Sequence, residues 1–443
     1  MKTPICDFVK EYVNKKAVRL HMPGHKGEKI LGPEALDITE IKGADVLYGA
    51  SGIIKQSEEN CAKIFGTGKT FYSTEGSSLS IKAAVYLINL FAKQKGKKPL
   101  ILAARNVHKS FVSALALTDT KVKWFLGKGE SSLSCVLDLE DLEKTIKKVK
   151  PTAFYLTSPD YLGNMADIEK IAEICHKYKT ILLVDNAHGA YLKFLPKSLH
   201  PIDLGADICV DSAHKTLPVL TAGAYLHFSK NADGFFAENA ENALSLFAST
   251  SPSYLTLQSL DLANDFLENF LRDKLLEVEK NISAARKELE EKGYILLNGE
   301  PLKITILAKE YGYTGEKLGG LLENEGIYPE FYDKDFLVLM FSPENKKSDI
   351  EKLVKALKAV PKKKKIYKKP PILKKPIAKM LPKNALSRPF EKVAVKNAKG
   401  RVLATLSVSC PPAVPILVCG ERVDESAISL FEYYGIKEIF VVK

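Results

Sequence analysis

No run of eighteen or more apolar residues occurs anywhere in the 443-residue chain, so a transmembrane helix is not expected. The first residues, Met1 to Asp7, lack the apolar core of a secretory signal. Cysteine is sparse and unpatterned: seven residues, an odd number, with no Cys-x-x-Cys pair. That excludes a disulfide framework and a cysteine-based metal site, and points to a reduced, cytoplasmic protein. No internal repeat is present. Acidic residues are missing altogether from 361–376, a lysine- and proline-rich stretch that holds much of the net charge of +12. Proline-punctuated lysine reads as a solvated, semi-extended linker. Its binding to polyanions would be weak and nonspecific, and with no recognition motif beside it a specific nucleic-acid role is not expected.

What is present is an ordinary globular composition, 46% hydrophobic and 27% charged, in a chain long enough for two or three cores. An amphipathic helix is expected within residues 1–20, then an irregular arm that packs on a partner chain or lines a site. Strand-like runs follow at 70–73, 99–103, 122–125, 153–157, 180–185, 208–210 and 222–228. Helical patterns alternate with them at 54–65, 81–93, 139–148, 167–178 and from 111 onward. Alternation of this kind implies βαβ units and an α/β fold with a mostly parallel sheet, in which ligands bind beyond the carboxyl ends of the strands. Gly76, His108, Ser158, Asp185 and Lys215 all fall at or just after such ends. A long helix over 255–292, broken near Lys274, leads to a smaller α+β region with strands at 294–297, 303–307 and 336–341 and helices at 315–325 and 347–359. A last unit has strand-like runs at 401–408 and 410–418 and a C-terminal helix. The expected organisation is an arm (1–50), a large domain (51–270), a small domain (271–360), a linker (361–385) and a C-terminal unit (386–443).

Within 206–218 an apolar strand runs straight into Asp211, Ser212, Ala213, His214 and Lys215. A lysine at a dry strand end is easily desolvated, which lowers its pKa and frees the amine to attack an aldehyde. By itself the motif equally describes a surface lysine in a strand-loop. Upstream, 180–185 is a buried-type strand ending in Asp185, followed by Asn186, Ala187, His188 and Gly189. The pair fits the two protein contacts of pyridoxal phosphate: a carboxylate on the protonated pyridine nitrogen and a lysine on the aldehyde carbon. The strand, small-residue turn and helix start around Gly76, Ser77 and Ser78 have the form of a phosphate cradle, although Ser-Ser is also an ordinary helix cap. The loop His21 to Gly27, with His25, reads as a turn, and no further ligands accompany it for a metal.

Taken together, these motifs resemble the bacterial fold-type-I, pyridoxal-phosphate-dependent ornithine/lysine/arginine decarboxylases, in the short form without an N-terminal wing domain. The matching segments are 21–27, 37–40, 105–110, Asp185 with 187–189, 211–217, 251–254, the prolines Pro411, Pro412 and Pro415, and Gly420-Glu421. The resemblance implies that Lys215 carries the cofactor and Asp185 keeps its ring nitrogen protonated. It implies His108 stacked on one ring face, or else simply capping a helix, and Ala187 on the other face. Gly76, Ser77, Ser78, Ser212 and His214 would surround the phosphate and ring, and Ser249 and Thr250 would reach a neighbouring subunit's phosphate across a homodimer interface. His188 would sit near the ring oxygen or brace Asp185. His214 or Lys215 would return a proton to Cα after CO₂ leaves. Glu421 would meet the substrate's cation, with a solvated surface glutamate as the plain alternative, and His25 would help hold the substrate.

The implied reaction is decarboxylation of arginine or lysine, with ornithine as a third candidate, in polyamine metabolism. Large ring assemblies are not expected without a wing domain. The motif departures are Asn186 and Tyr191 in Asp-Glu-Ala-His-Gly-Ala-His, Thr74-Glu75 before Gly76, and Cys410 and Ala413 around the prolines. They bear on substrate choice and turnover. The alternatives are another fold-type-I enzyme, such as an aminotransferase using Arg286 or Arg401 as a carboxylate clamp, and a cofactor-binding relative without turnover.

Overall fold

A computed structural model of the chain describes residues 1–127, 134, 136–410 and 414–443. The described residues form two compact units, 1–99 with 168–273 and 100–167 with 274–443. None of their helices is long and apolar enough to cross a membrane.

In chain order, helix α1 (Pro4–Asn14) buries Ile5, Cys6 and Val9 and is followed by the irregular arm. Helix α2 (Ile53–Phe65) ends at Gly66, whose φ of 68° is the left-handed conformation that closes helices. Strand β1 (Lys69–Ser73) leads through Gly76 into α3 (Ser77–Gln94). Then come β2 (Leu100–Ala104), α4 (Lys109–Thr118), β3 (Lys121–Phe125), α5 (Leu139–Val149), β4 (Ala153–Thr157) and α6 (Ile168–Lys177). Helix α5 starts where the Asp138 side chain accepts from the Asp141 N–H, and it buries Leu142 and Ile146 one turn apart. Next are β5 (Ile181–Asp185), β6 (Ile208–Asp211), the single turn α7 (Ala213–Thr216), β7 (Ala224–Phe228), α8 (Gly234–Ser245) and α9 (Tyr254–Asn269).

In the first unit the strand order is β1-β7-β6-β5. β5 and β6 run parallel with Asp185 beside Val210, while β7 is antiparallel to both β6 and β1. In the second unit β2 lies between β4 and β3 and is parallel to both. Parallel pairing therefore predominates, and fully buried strands such as Leu182–Leu183–Val184 read as continuous apolar runs.

The expected long helix is two helices. α10 (Leu271–Lys292) follows α9 after Phe270, whose φ of −129° leaves the helical region four residues before the expected break. The small three-stranded sheet of the second unit has β10 (Phe336–Met340) between β8 (Lys303–Leu307) and β9 (Phe331–Tyr332). The strand expected at 294–297 is only a bridge from Leu296 to Ile306. The lysine-rich stretch has no regular structure over 361–376. It is nonetheless tied down: Lys363 N–H donates to the Tyr311 carbonyl and Ile366 N–H to the Lys309 carbonyl. At the C-terminal end Phe390–Ala394 and Glu438–Val442 pair antiparallel, Val414–Val418 forms a buried strand, and Glu421 opens a two-residue strand that pairs with Ile377–Ala378.

Candidate active site

The candidate residues of the first unit converge at the carboxyl ends of β5 and β6. Asp185, the last residue of β5, is buried, and one of its oxygens accepts from the Ala187 N–H at 3.3 Å. Lys215 sits in the turn α7, half-buried, and its Nζ donates to His188 Nε2 at 3.0 Å. That contact places the buried His188 against the amine, a position that its sequence context left open. His214 Nδ1 donates to the Gly223 carbonyl at 2.9 Å. Burial pushes the His214 pKa down, against the opposing effect of that carbonyl and with help from the Lys215 charge. His214 is therefore neutral at neutral pH, with its hydrogen on Nδ1 and a lone pair on Nε2.

The turn before α3 is built on Gly76, whose φ of 74° and ψ of 175° belong to a region reserved for glycine. A side chain there would meet only the Ser78 nitrogen, at 3.9 Å, so the turn faces open space that a Cβ would fill. Ser77 and Ser78 open the helix, and Ser212 Oγ donates to Ser77 Oγ at 2.7 Å, which ties the end of β6 to the turn. Helix-start N–H groups, two serine hydroxyls and the tied Ser212 make an anion-binding set. With an amine at one strand end and a buried carboxylate at its parallel neighbour, this donor set fits pyridoxal phosphate. Ser249 and Thr250 are exposed in the loop before α9, and the Ser249 N–H donates to Glu75 at 2.6 Å. In the arm, His25 Nε2 lies 3.2 Å from Asp37 and its Nδ1 accepts from the Gly27 N–H.

In the second unit, His108 caps α4, its Nδ1 accepting from the Ser110 N–H and lying 2.7 Å from the Ser110 hydroxyl. Glu421 is not the solvated glutamate of the plain reading. It is 2% exposed, and its Oε2 accepts from Arg105 Nη2 at 2.8 Å and from the Val418 N–H at 2.9 Å. Burial pushes the Glu421 pKa up and the Arg105 guanidinium pulls against it. Arg105 in turn packs over Trp124, 4.7 Å from the ring centre. Arg286 donates to the carbonyls of Leu297, Glu300 and Lys303, and Arg401 to Glu391 and the Val442 carbonyl, so both are bound up in local structure. Pro411, Pro412 and Ala413 lie outside the described residues, as does Cys135.

Two features escaped the sequence. One is Arg105 as the partner of Glu421, 316 positions away, although Arg105 heads a motif already singled out. The other is a fully buried polar cluster around Asp211, with Asn186, His200, His227 and Cys209, which only the strand register brings together.

Comparison with known proteins agrees with this geometry. The model of the Orn/Lys/Arg decarboxylase major domain matches residues 3–299, and that of the C-terminal domain matches 363–441. An arginine decarboxylase of Bacillus subtilis (strain 168) is 29% identical, the alignment covering 97% of this chain and 92% of the relative. Among solved structures, the lysine decarboxylase of Francisella novicida has a TM-score of 0.81 at 16% identity, over 100% of this chain and 81% of that one. Serine palmitoyltransferase of Sphingomonas wittichii, a fold-type-I enzyme, has a TM-score of 0.56 at 15% identity, over 81% of this chain and 83% of that one. With the family's two domains matched along most of its length, the chain belongs to the Orn/Lys/Arg decarboxylases, pyridoxal-phosphate-dependent amino-acid decarboxylases of fold type I.

Proposed function

We propose that this enzyme removes CO₂ from a basic α-amino acid, arginine or lysine foremost and ornithine third, and supplies the resulting amine to polyamine metabolism in the cytoplasm. The observation that carries the reading is the meeting of Lys215, Asp185 and the Gly76 turn in one unit. The near-full-length match to a relative named arginine decarboxylase puts arginine first.

When bound, the cofactor supplies an electron sink for the pair left at Cα as CO₂ departs. Lys215 would hold its aldehyde carbon and Asp185 would keep its ring nitrogen protonated. Gly76, Ser77, Ser78 and Ser212 would bind its phosphate, Ala187 would pack on its ring, and the family resemblance gives His108 a ring contact as well. His188, 3.0 Å from Lys215 Nζ, holds that amine in place and can take a proton from it. Because His214 keeps its hydrogen on Nδ1 toward Gly223, its Nε2 is a base at neutral pH, and Lys215 is the better source of the proton returned to Cα. His25 helps to hold the substrate. Glu421 meets the substrate's cation through Oε1, since Arg105 and Val418 hold Oε2.

We further propose a homodimer in which Ser249 and Thr250 complete the partner's phosphate site. In its support, the arm after α1 leaves large apolar side chains in water: Val18 is 84% exposed, Leu20 92% and Leu31 90%. The test is CO₂ release from arginine, lysine and ornithine offered separately to cofactor-loaded protein. Turnover of arginine well above the other two is the expected result, and no CO₂ from any of the three would sink the substrate assignment.

A further inference from the structure

Asp211 is a fully buried carboxylate that the chemistry above does not use. Its Oδ1 accepts from Asn186 Nδ2 at 2.7 Å and from the Cys209 thiol at 3.4 Å. Its Oδ2 accepts from His200 Nε2 at 3.0 Å, while His200 Nδ1 faces the Ile202 N–H at 3.4 Å. His227 Nε2 lies 3.3 Å from the same Oδ2, and its Nδ1 is 2.8 Å from the Thr70 hydroxyl. Burial pushes the pKa of His227 down, against the upward pull of the Asp211 carboxylate beside it.

Burying an ion costs free energy that an apolar side chain of similar size would not, so its stabilising value alone is a poor reason for this arrangement. Its connections suggest another. Asn186 directly follows Asp185, and its own N–H donates to the Val210 carbonyl at 2.9 Å. On the other side, Asp211 directly precedes Ser212, which is bonded to Ser77, and Lys215 lies one turn further on. The carboxylate thus ties the residue after the ring-nitrogen contact to the strand end that leads into the phosphate contact and the lysine. The amide at 186 matters here: it donates to Asp211, where the glutamate common at this place in the resembling motif would repel it.

We propose that Asp211 is a positioning residue which, through Asn186 and Ser212, sets the spacing between Asp185 and the Lys215 turn that the cofactor requires. The proposal rests on the cofactor-site reading above.

The test titrates cofactor-free protein with pyridoxal phosphate, following the visible absorbance of the lysine-linked cofactor. It compares the unmutated chain with Asn186→Ala, Asp211→Asn and Lys215→Ala. Asn186→Ala removes the link while leaving the carboxylate and both histidines in place, so it remains informative if Asp211→Asn does not fold. Loss of a hydrogen bond to a charged group predicts affinity weakened roughly tenfold to a hundredfold in Asn186→Ala. The absorbance band should shift, and kcat should fall more than the KM for the amino acid changes.

Unmutated affinity and an unmoved band in Asn186→Ala would overturn the proposal. So would one equivalent of a transition metal in the purified protein, since donor atoms of His200, Cys209 and Asp211 lie within 4.8 Å of one another. Failure of the unmutated protein to show a band that Lys215→Ala abolishes would instead sink the cofactor-site reading, and this proposal with it.

Discussion

Removing the Glu421 carboxylate isolates a buried guanidinium. In the folded chain the Arg105 side chain is 10% exposed and the Glu421 side chain 2%, joined by a 2.8 Å hydrogen bond. Breaking such a pair from one side leaves a desolvated charge unpaired, at a cost of about 3–5 kcal/mol. For a unit of this size that lowers the thermal midpoint by roughly 6–20 °C. Replacing both partners, Arg105→Met with Glu421→Leu, removes the desolvation penalty as well and should be less destabilising than Glu421→Ala alone. The chain carries its own probe, because its one tryptophan, Trp124, lies 4.7 Å from the Arg105 guanidinium. Its fluorescence during urea or thermal unfolding reports this unit. The reasoning is refuted if Glu421→Ala costs less than about 1 kcal/mol, or if the double replacement is the worse of the two.

Gly76→Ala should cost about 1–3 kcal/mol by forcing a side chain onto a backbone conformation reserved for glycine, and should weaken phosphate-dependent cofactor binding; unfolding and cofactor titration check both. On the proposed homodimer, Leu20→Asp with Leu31→Asp should shift sedimentation from dimer to monomer, and a dimer unchanged by them would show that a second copy does not cover the arm. The Asp211 pKa is pulled below its ordinary value of 3.8, as His200 and His227 together outweigh the upward push of burial. Its contribution to stability is therefore present above that value and lost as the pH falls through the folded-state pKa. Acid unfolding of Asp211→Asn should accordingly show a shallower loss of stability below about pH 4 than the unmutated chain, as followed by circular dichroism.

Local signals made much of the fold legible. The strand at Ala153–Thr157 and the helix at Lys347–Ala359 fall where their apolar patterns begin and end. Asp185 stands out because a buried apolar run stops at it, and Lys215 because it follows the end of another such run at Asp211 by four residues, a contrast visible without any tertiary contact. Harder cases depended on distant partners. Phe390–Ala394 and Glu438–Val442 are short segments that become strands by pairing with each other. Residues 294–297 are apolar enough for a strand but meet β8 at a single bridge. Helix α8 buries Phe236, Ala240, Ala243 and Leu244 along one face, a stripe half made of alanine. The Asp211 cluster needs the registers of β5, β6 and β7 together, because Cys209 faces His227 only through their antiparallel pairing. The charge of Glu421 suggested a cation, but not that Arg105, 316 positions away, would take one of its oxygens.

The most direct test of the central claim is to trap the cofactor where it binds. Cofactor-loaded protein is reduced with borohydride, digested and mapped by mass spectrometry. The account predicts a single modified peptide carrying the cofactor on Lys215, and none in Lys215→Ala. Stable attachment to any other lysine, or undiminished trapping in the variant, would contradict it.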